Sequence, residues 1–168
     1  MRAIILRQGT NVVLVAPTLG VGKASDLTVV FADGQRCQTF LDQAAVDKDA
    51  PLTRVPMCQT PPTAGWSTLE WAEAPELGAG RRAWLLEQPN TVQPGAPPPP
   101  PVAIRTFFGK RGLAPMDAYW HVSVKRAVGA PLLDEEGRVL CVVFRYPAGP
   151  AGRGLCVPRE GSFVGLEP

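Results

Sequence analysis

Val128-Gly129-Ala130-Pro131-Leu132-Leu133-Asp134-Glu135-Glu136-Gly137-Arg138-Val139-Leu140 is the stretch on which the reading of this chain turns. It holds a short apolar run, four residues of turn chemistry closed by Gly137, and a second apolar run that continues to Arg145. Glycine takes up the positive φ of tight turns, and an acidic-Gly turn between apolar runs predicts a β-hairpin.

The same grammar extends in both directions. Towards the N-terminus, residues 4–6 and 11–16 read as strands around Gln8-Gly9, and residues 27–31 and 36–40 as strands around Ala32-Asp33-Gly34-Gln35. Residues 44–46 and 52–57 complete six strands before Gln59. A linker, Thr60-Pro61-Pro62-Thr63-Ala64-Gly65, follows. In the second half, strands are expected at 67–71, 82–86, 102–108, 119–123, 131–133, 138–145 and 154–157. No ten-residue segment sustains a helical apolar period, except towards the end of the chain. The expectation is all-β: two antiparallel six-stranded barrels packed together, with the first barrel at 1–59, a linker at 60–66 and the second barrel at 67–168. A proline run, Pro97, Pro98, Pro99, Pro100 and Pro101, falls within the second barrel. It cannot pair in a central strand and adopts an extended polyproline helix, so it reads as a stiff surface loop, with docking to an aromatic-lined groove as the alternative.

Composition narrows the function classes. The 168 residues are 45% hydrophobic and 19% charged, with a net charge of +2 from scattered basic residues, so no concentrated basic face points to nucleic acid. There is one histidine and no C-x-x-C pair among the four cysteines, which argues against a zinc site; no cofactor is expected. Residues 1–16 lack the continuous apolar core of a secretion signal, and no stretch approaches a membrane helix, so a cytoplasmic location with reduced, buried thiols is expected. If 139–145 and 153–158 pair, Cys141 and Cys156 could nevertheless lie opposite each other. Gly20-Val21-Gly22-Lys23-Ala24-Ser25 looks superficially like a phosphate loop. Pro17 stands where the first glycine belongs, Ala24 follows the lysine, and the flanks read as strands, so nucleotide binding is rejected. The Ala-, Gly-, Pro- and Arg-rich usage suggests a high-GC bacterial source.

The opening stretch resembles the segment that follows the nucleophile in trypsin-like, and particularly HtrA-like, serine proteases. That family carries Gly-Asp/Asn-Ser-Gly-Gly-Pro-Leu, a strand, an acidic-Gly turn and another apolar strand. Gly129 and Ala130 stand at the two glycines, and Pro131 and Leu132 match directly. Further likenesses follow in the family's order. LTVVFADG at 27–34 resembles the strand and turn after the catalytic histidine. Residues 46–55 resemble the Asp-Leu-Ala-Leu-Leu-Arg-Val segment, which places Asp49 at the catalytic aspartate. Residues 77–84 resemble the opening of the second barrel, and 152–158 its closing strand.

The resemblance also implies what is missing. A serine protease needs a hydroxyl nucleophile, an imidazole to take its proton and a carboxylate to hold that imidazole. The matching positions carry Val128 at the serine, Leu19 or a neighbour within Ala16-Pro17-Thr18-Leu19-Gly20-Val21 at the histidine, and Asp49 at the aspartate, and Arg126 and Ala127 replace the Gly and Asp/Asn before the serine. A β-branched valine is not expected to favour the strained turn that presents a nucleophile. The implied function is that of a pseudoprotease, a non-catalytic protein-binding, scaffolding or regulatory module in a bacterial complex. Its partners would be proteins, bound as an extended peptide in the old cleft or on the outer surface through the proline run or exposed Trp66 and Trp71. The alternative is a serine-hydrolase-like enzyme of altered chemistry. It would have to use the sole histidine, His121, with Ser123 two residues along the same strand face, where the side chains point in parallel rather than at each other.

Overall fold

The computed structural model describes residues 3–31, 34–61, 66–73, 75–87, 102–111, 119–124, 127–145 and 154–162. β1 (Ile4–Gln8) and β2 (Asn11–Pro17) form a hairpin whose turn is made by Gly9 at φ 59°. A short helix, α1 (Thr18–Val21), follows, then the hairpin β3 (Asp26–Val30) and β4 (Arg36–Phe40), then β5 (Leu52–Val55). β2 pairs with β5 antiparallel, giving a three-stranded sheet β1-β2-β5 beside the two-stranded sheet β3-β4. Leu14, Ala16, Val21, Leu41 and Val55 form one core between the sheets, with Leu27 and Val29 of β3 packed against it.

Among the described residues the first half thus wraps around a shared core, but with five strands in two sheets rather than six in a closed barrel. The strand expected at 44–46 is a turn. Asp42 captures the chain there, its Oδ1 accepting the Ala44 N–H at 2.9 Å and its carbonyl the Ala45 N–H at 3.1 Å. This local side-chain bond competes with strand pairing.

The second half closes as expected. β6 (Arg82–Glu87), β7 (Val102–Arg111), β8 (Trp120–Val122), β9 (Pro131–Leu133), β10 (Val139–Arg145) and β11 (Gly154–Val157) form a closed barrel in the order β10-β11-β8-β7-β6-β9. A one-turn helix, α2 (Arg159–Ser162), follows β11. The barrel is filled by Leu85, Phe108, Val122, Leu132, Leu140 and Val143 among others. The proline run 97–101 belongs to the chain between β6 and β7 and lies outside the described residues.

The segment read as a strand at 67–71 is instead a strap with one edge on each half. The Leu69 N–H donates to the Ile5 carbonyl and the Arg7 N–H to the Leu69 carbonyl, both at 2.8 Å. On the other edge, the Ala72 N–H donates to the Val139 carbonyl at 2.9 Å and the Val139 N–H to the Glu70 carbonyl at 2.7 Å. Beneath the strap lies a second core that joins the halves: Ile4, Leu6, Val15 and Leu52 from one side, Val139, Val142, Phe144, Leu155 and Val157 from the other, with Trp71 among them. Trp71 is therefore buried, at 7% exposure, rather than a surface aromatic. Trp66 is half-buried against Phe31, with ring centroids 6.3 Å apart.

β10 serves both cores. Leu140, Cys141 and Val143 face into the barrel, while Val139, Val142 and Phe144 face the first half. Two adjacent residues, Leu140 and Cys141, point the same way because the register with β9 slips between Val139 and Cys141. Such a bulge re-aims side chains that strict alternation would turn outward.

All four cysteines are paired, which corrects the expectation of reduced thiols. Cys37 of β4 is bonded to Cys58, with Cα atoms 6.1 Å apart. Cys141 of β10 is bonded to Cys156 of β11, with Cα atoms 5.7 Å apart. The latter pair sits diagonally across the ladder, since Cys156 is directly opposite Val143. Among the described residues no helix is long and apolar enough to cross a membrane.

Leu6 is fully buried where the two halves meet, and Leu19 is 73% exposed. Leu6→Ala is expected to lower unfolding free energy by about 3 kcal/mol, and Leu19→Ala to change it by less than about 0.5 kcal/mol. Urea unfolding of the two variants checks the difference.

Candidate active site

Leu19 is placed by the end of β2. The strand runs into Pro17, and the first residue of α1 is tied down twice: the Thr18 N–H donates to the Pro51 carbonyl at 3.1 Å, and the Thr18 and Thr53 hydroxyls share a buried hydrogen bond of 2.8 Å. The turn closes with the Gly22 N–H on the Thr18 carbonyl at 3.3 Å, at φ 61° for Gly22. Leu19 then projects from a rigid one-turn helix into solvent, with no atom that can exchange a proton. The Thr18–Thr53 pair beneath it was not legible in the sequence. Two threonines 35 residues apart carry no local signal of contact.

Asp49 lies in the loop before β5. Its N–H donates to Asp47 Oδ1 at 2.9 Å, and its side chain is exposed. A carboxylate that orients an imidazole is buried against it; Asp49 is in water, and the residue at the matching position on α1 is an aliphatic one.

Val128 is held in a tight turn. The Ala130 N–H donates to the Ala127 carbonyl at 2.8 Å, and Gly129, the third residue, has φ 88°. That positive φ is the signature of a type II turn, and it falls on the residue best able to adopt it. The valine is accommodated half-buried in the second position of this turn. The turn is locked onto β10, with the Gly129 N–H on the Val143 carbonyl at 2.7 Å and the Val143 N–H on the Ala130 carbonyl at 3.0 Å. Ala127 and Ala130 are buried on either side. Arg126 lies outside the described residues.

The hairpin after Val128 is organised by Asp134. Its Oδ1 accepts the N–H groups of Glu136 at 3.0 Å and Arg138 at 2.8 Å, and its Oδ2 accepts the Arg138 Nε–H at 2.9 Å. Gly137, at φ 80°, completes the turn. Burial by itself would raise the Asp134 pKa. The bonds from the Arg138 backbone and guanidinium, its charge, and the Glu136 N–H outweigh burial and hold it below the usual carboxylate value. Asp134 is thus a buried turn organiser rather than an acid–base group.

The remaining candidates do not converge. His121 is in the barrel wall on β8, directly opposite Leu155 of β11, and its backbone packs beside Gly109. Its Nδ1 is buried with no hydrogen-bond partner. Ser123 is exposed, and its carbonyl accepts the Thr106 hydroxyl at 3.0 Å. No hydrogen bond joins His121 to Ser123, so the dyad is not formed. Among the described residues are a concavity of about 160 Å³ between the 41–47 loop and β5 and another of about 280 Å³ beside Arg7, Trp71 and Arg159. Neither is lined by Leu19, Asp49 or Val128. Among the described residues no group of His, Cys, Asp and Glu could hold a metal ion.

The closed barrel, the five-strand first half, the one-turn helix after β2 and the Val128 turn before a β-hairpin define a trypsin-like, or chymotrypsin-like, fold. Solved structures agree. The chain is similar to Rv3671c from M. tuberculosis H37Rv, in the inactive form of a serine-to-alanine mutant, at 18% identity and TM-score 0.64, over 95% of this chain and 76% of that one. It is similar to the MamO protease domain from Magnetospirillum magneticum at 13% identity and TM-score 0.62, over 94% and 91%. It also resembles human heparin binding protein at 12% identity and TM-score 0.55, over 93% and 84%. No sequence family and no curated protein matches the chain.

Asp134 gives the site a sign-defined pH response. Because its folded pKa is lowered, its stabilisation is fully present above the unfolded value of 3.8 and is lost as pH falls through the lower folded value. Asp134→Asn is expected to cost about 1 kcal/mol at neutral pH and to flatten the loss of stability below pH ~4. Urea unfolding of both proteins from pH 7 to 3 measures this; equal acid sensitivity would contradict it.

Proposed function

We propose that this chain is a pseudoprotease, a trypsin-like domain that has exchanged catalysis for protein binding, scaffolding or regulation within a bacterial complex. What supports the reading is that Leu19 on α1 and Val128 in the locked turn, the positions that the resemblance places at a base and a nucleophile, both carry aliphatic side chains. Acyl transfer requires an oxygen nucleophile and a nearby base to take its proton. The only imidazole in the chain is on β8, without a hydrogen bond to the nearest serine in sequence. Asp49, exposed in its loop, has nothing there to orient.

What remains is a rigid scaffold, and a rigid scaffold suits binding because little ordering cost is incurred on association. Its partner would be a protein, met either as an extended peptide adding to a strand edge or through the proline run Pro97–Pro101. A chain of the same fold, human heparin binding protein, is named for binding. The two disulfides favour an oxidising compartment over the cytoplasm as the place where the domain works.

A fluorophosphonate probe tests the loss of chemistry. Neither the protein nor Val128→Ser is expected to label above the denatured control, because restoring a hydroxyl without a base leaves it unactivated. Labelling of the unaltered chain would overturn the reading. Comparison of proteins captured from the host with and without residues 97–101 then separates the two partner modes, since only a proline-docked partner is lost with the deletion.

A further inference from the structure

The two disulfides sit in opposite environments. Cys141 and Cys156 are both fully buried, on adjacent strands of the barrel, surrounded by its core. Cys37 is half-buried on β4, and only its partner Cys58 is buried, at 5% exposure. They also join different things. Cys141–Cys156 links β10 and β11, which a backbone ladder already holds together. Cys37–Cys58 links the β3-β4 hairpin to the chain just beyond β5, and no ladder joins the β3-β4 sheet to the β1-β2-β5 sheet. The other described ties of that hairpin include the Thr39 hydroxyl donating to the Pro56 carbonyl at 2.7 Å, the half-buried Leu27 and Val29, the buried Leu41 just beyond β4, and the Phe31–Trp66 ring contact.

We propose that Cys37–Cys58 is a redox-sensitive clamp that holds the β3-β4 hairpin on the first half, and that Cys141–Cys156 is a protected staple that does not respond. A dithiol reductant supplies the chemistry. Its thiolate attacks the sulfur of the half-buried Cys37, forming a mixed disulfide and expelling the Cys58 thiolate, which takes up a proton. The reductant's second thiol then displaces Cys37, which leaves as a thiolate and is protonated, and the reductant departs as its own disulfide. Two electrons and two protons are transferred to the protein. Thiol exchange needs access to sulfur, which the barrel denies to Cys141 and Cys156. Once the clamp opens, the hairpin is anchored by apolar packing through Leu27, Val29, Phe31 and Leu41, and the segment between Cys37 and Cys58, a separation of 21 residues that includes Asp49, is no longer closed into a loop. Elements with few buried contacts open locally at free energies well below that of global unfolding.

The test uses the oxidised full chain. It is titrated with dithiothreitol, free thiols are alkylated and located by peptide mass, and amide exchange is followed in parallel. Cys37 and Cys58 are expected to be alkylated at a reductant concentration at least about tenfold below that needed for Cys141 and Cys156. Amides at 26–30 and 36–40 are expected to exchange at least about tenfold faster while those at 139–145 are unchanged. A double variant, Cys37→Ser with Cys58→Ser, should show the same local exchange without reductant. Reduction of both pairs together, an unchanged hairpin after selective reduction, or loss of barrel protection in the double variant would each overturn the clamp. The outcome is independent of whether the domain is catalytic.

Discussion

The structure depends on residues 69–72 being hydrogen-bonded along both edges. β1 has one edge on β2 and would leave its other edge open; the strap covers it through Leu69. The barrel strand β10 receives the same segment through Glu70 and Ala72. Unpaired buried backbone groups are costly, so a four-residue segment that satisfies both neighbours fixes how the halves meet. It also places Trp71 into the core between them, where Ile4, Leu6, Val139 and Phe144 exclude water. The positions of α1 and the Val128 turn are consequences of this joint: β2 leads into one, and β10 anchors the other.

Around that joint, the local structure at the candidate site is well formed. α1 is pinned through Thr18 to β5, and the Val128 turn is hydrogen-bonded to β10 through Gly129 and Ala130. The positive-φ glycine sits in a turn locked to a central strand of the barrel.

Much of this was legible in the sequence where the signal is local. The acidic-Gly turn at 134–137 named its hairpin because Asp134 and Gly137 each have a specific geometric task, and the apolar runs named the barrel strands. The places where reading failed involve contacts between distant residues or bonds that local propensity does not report. Residues 44–46 have strand-compatible side chains, but Asp42 holds their backbone in a turn. Trp71 looked like a surface aromatic because nothing in its neighbourhood reveals the second half that covers it. The cysteines were read as thiols from an expected compartment, whereas pairing is set by Cα positions that only the folded sheets define. At the site itself, the identities of Leu19 and Val128 were visible, but not the buried Thr18–Thr53 bond or the turn that makes room for valine.

The strap has a kinetic side as well. Its partners, Ile5 and Arg7 on one edge and Val139 on the other, lie near opposite ends of the chain, so neither ladder can form through local encounters. Folds dominated by such distant pairings close their loops late and fold slowly. During synthesis β1 and β2 emerge early and must wait, with one strand edge open, for the segment that covers it, and the joint is complete only when β10 arrives. An exposed edge of this kind is an invitation to pair with another chain. For this fold the interval between the first hairpin and the last barrel strands is therefore the period of greatest aggregation hazard, and pairing of residues 69–72 with β1 covers that edge before β10 arrives.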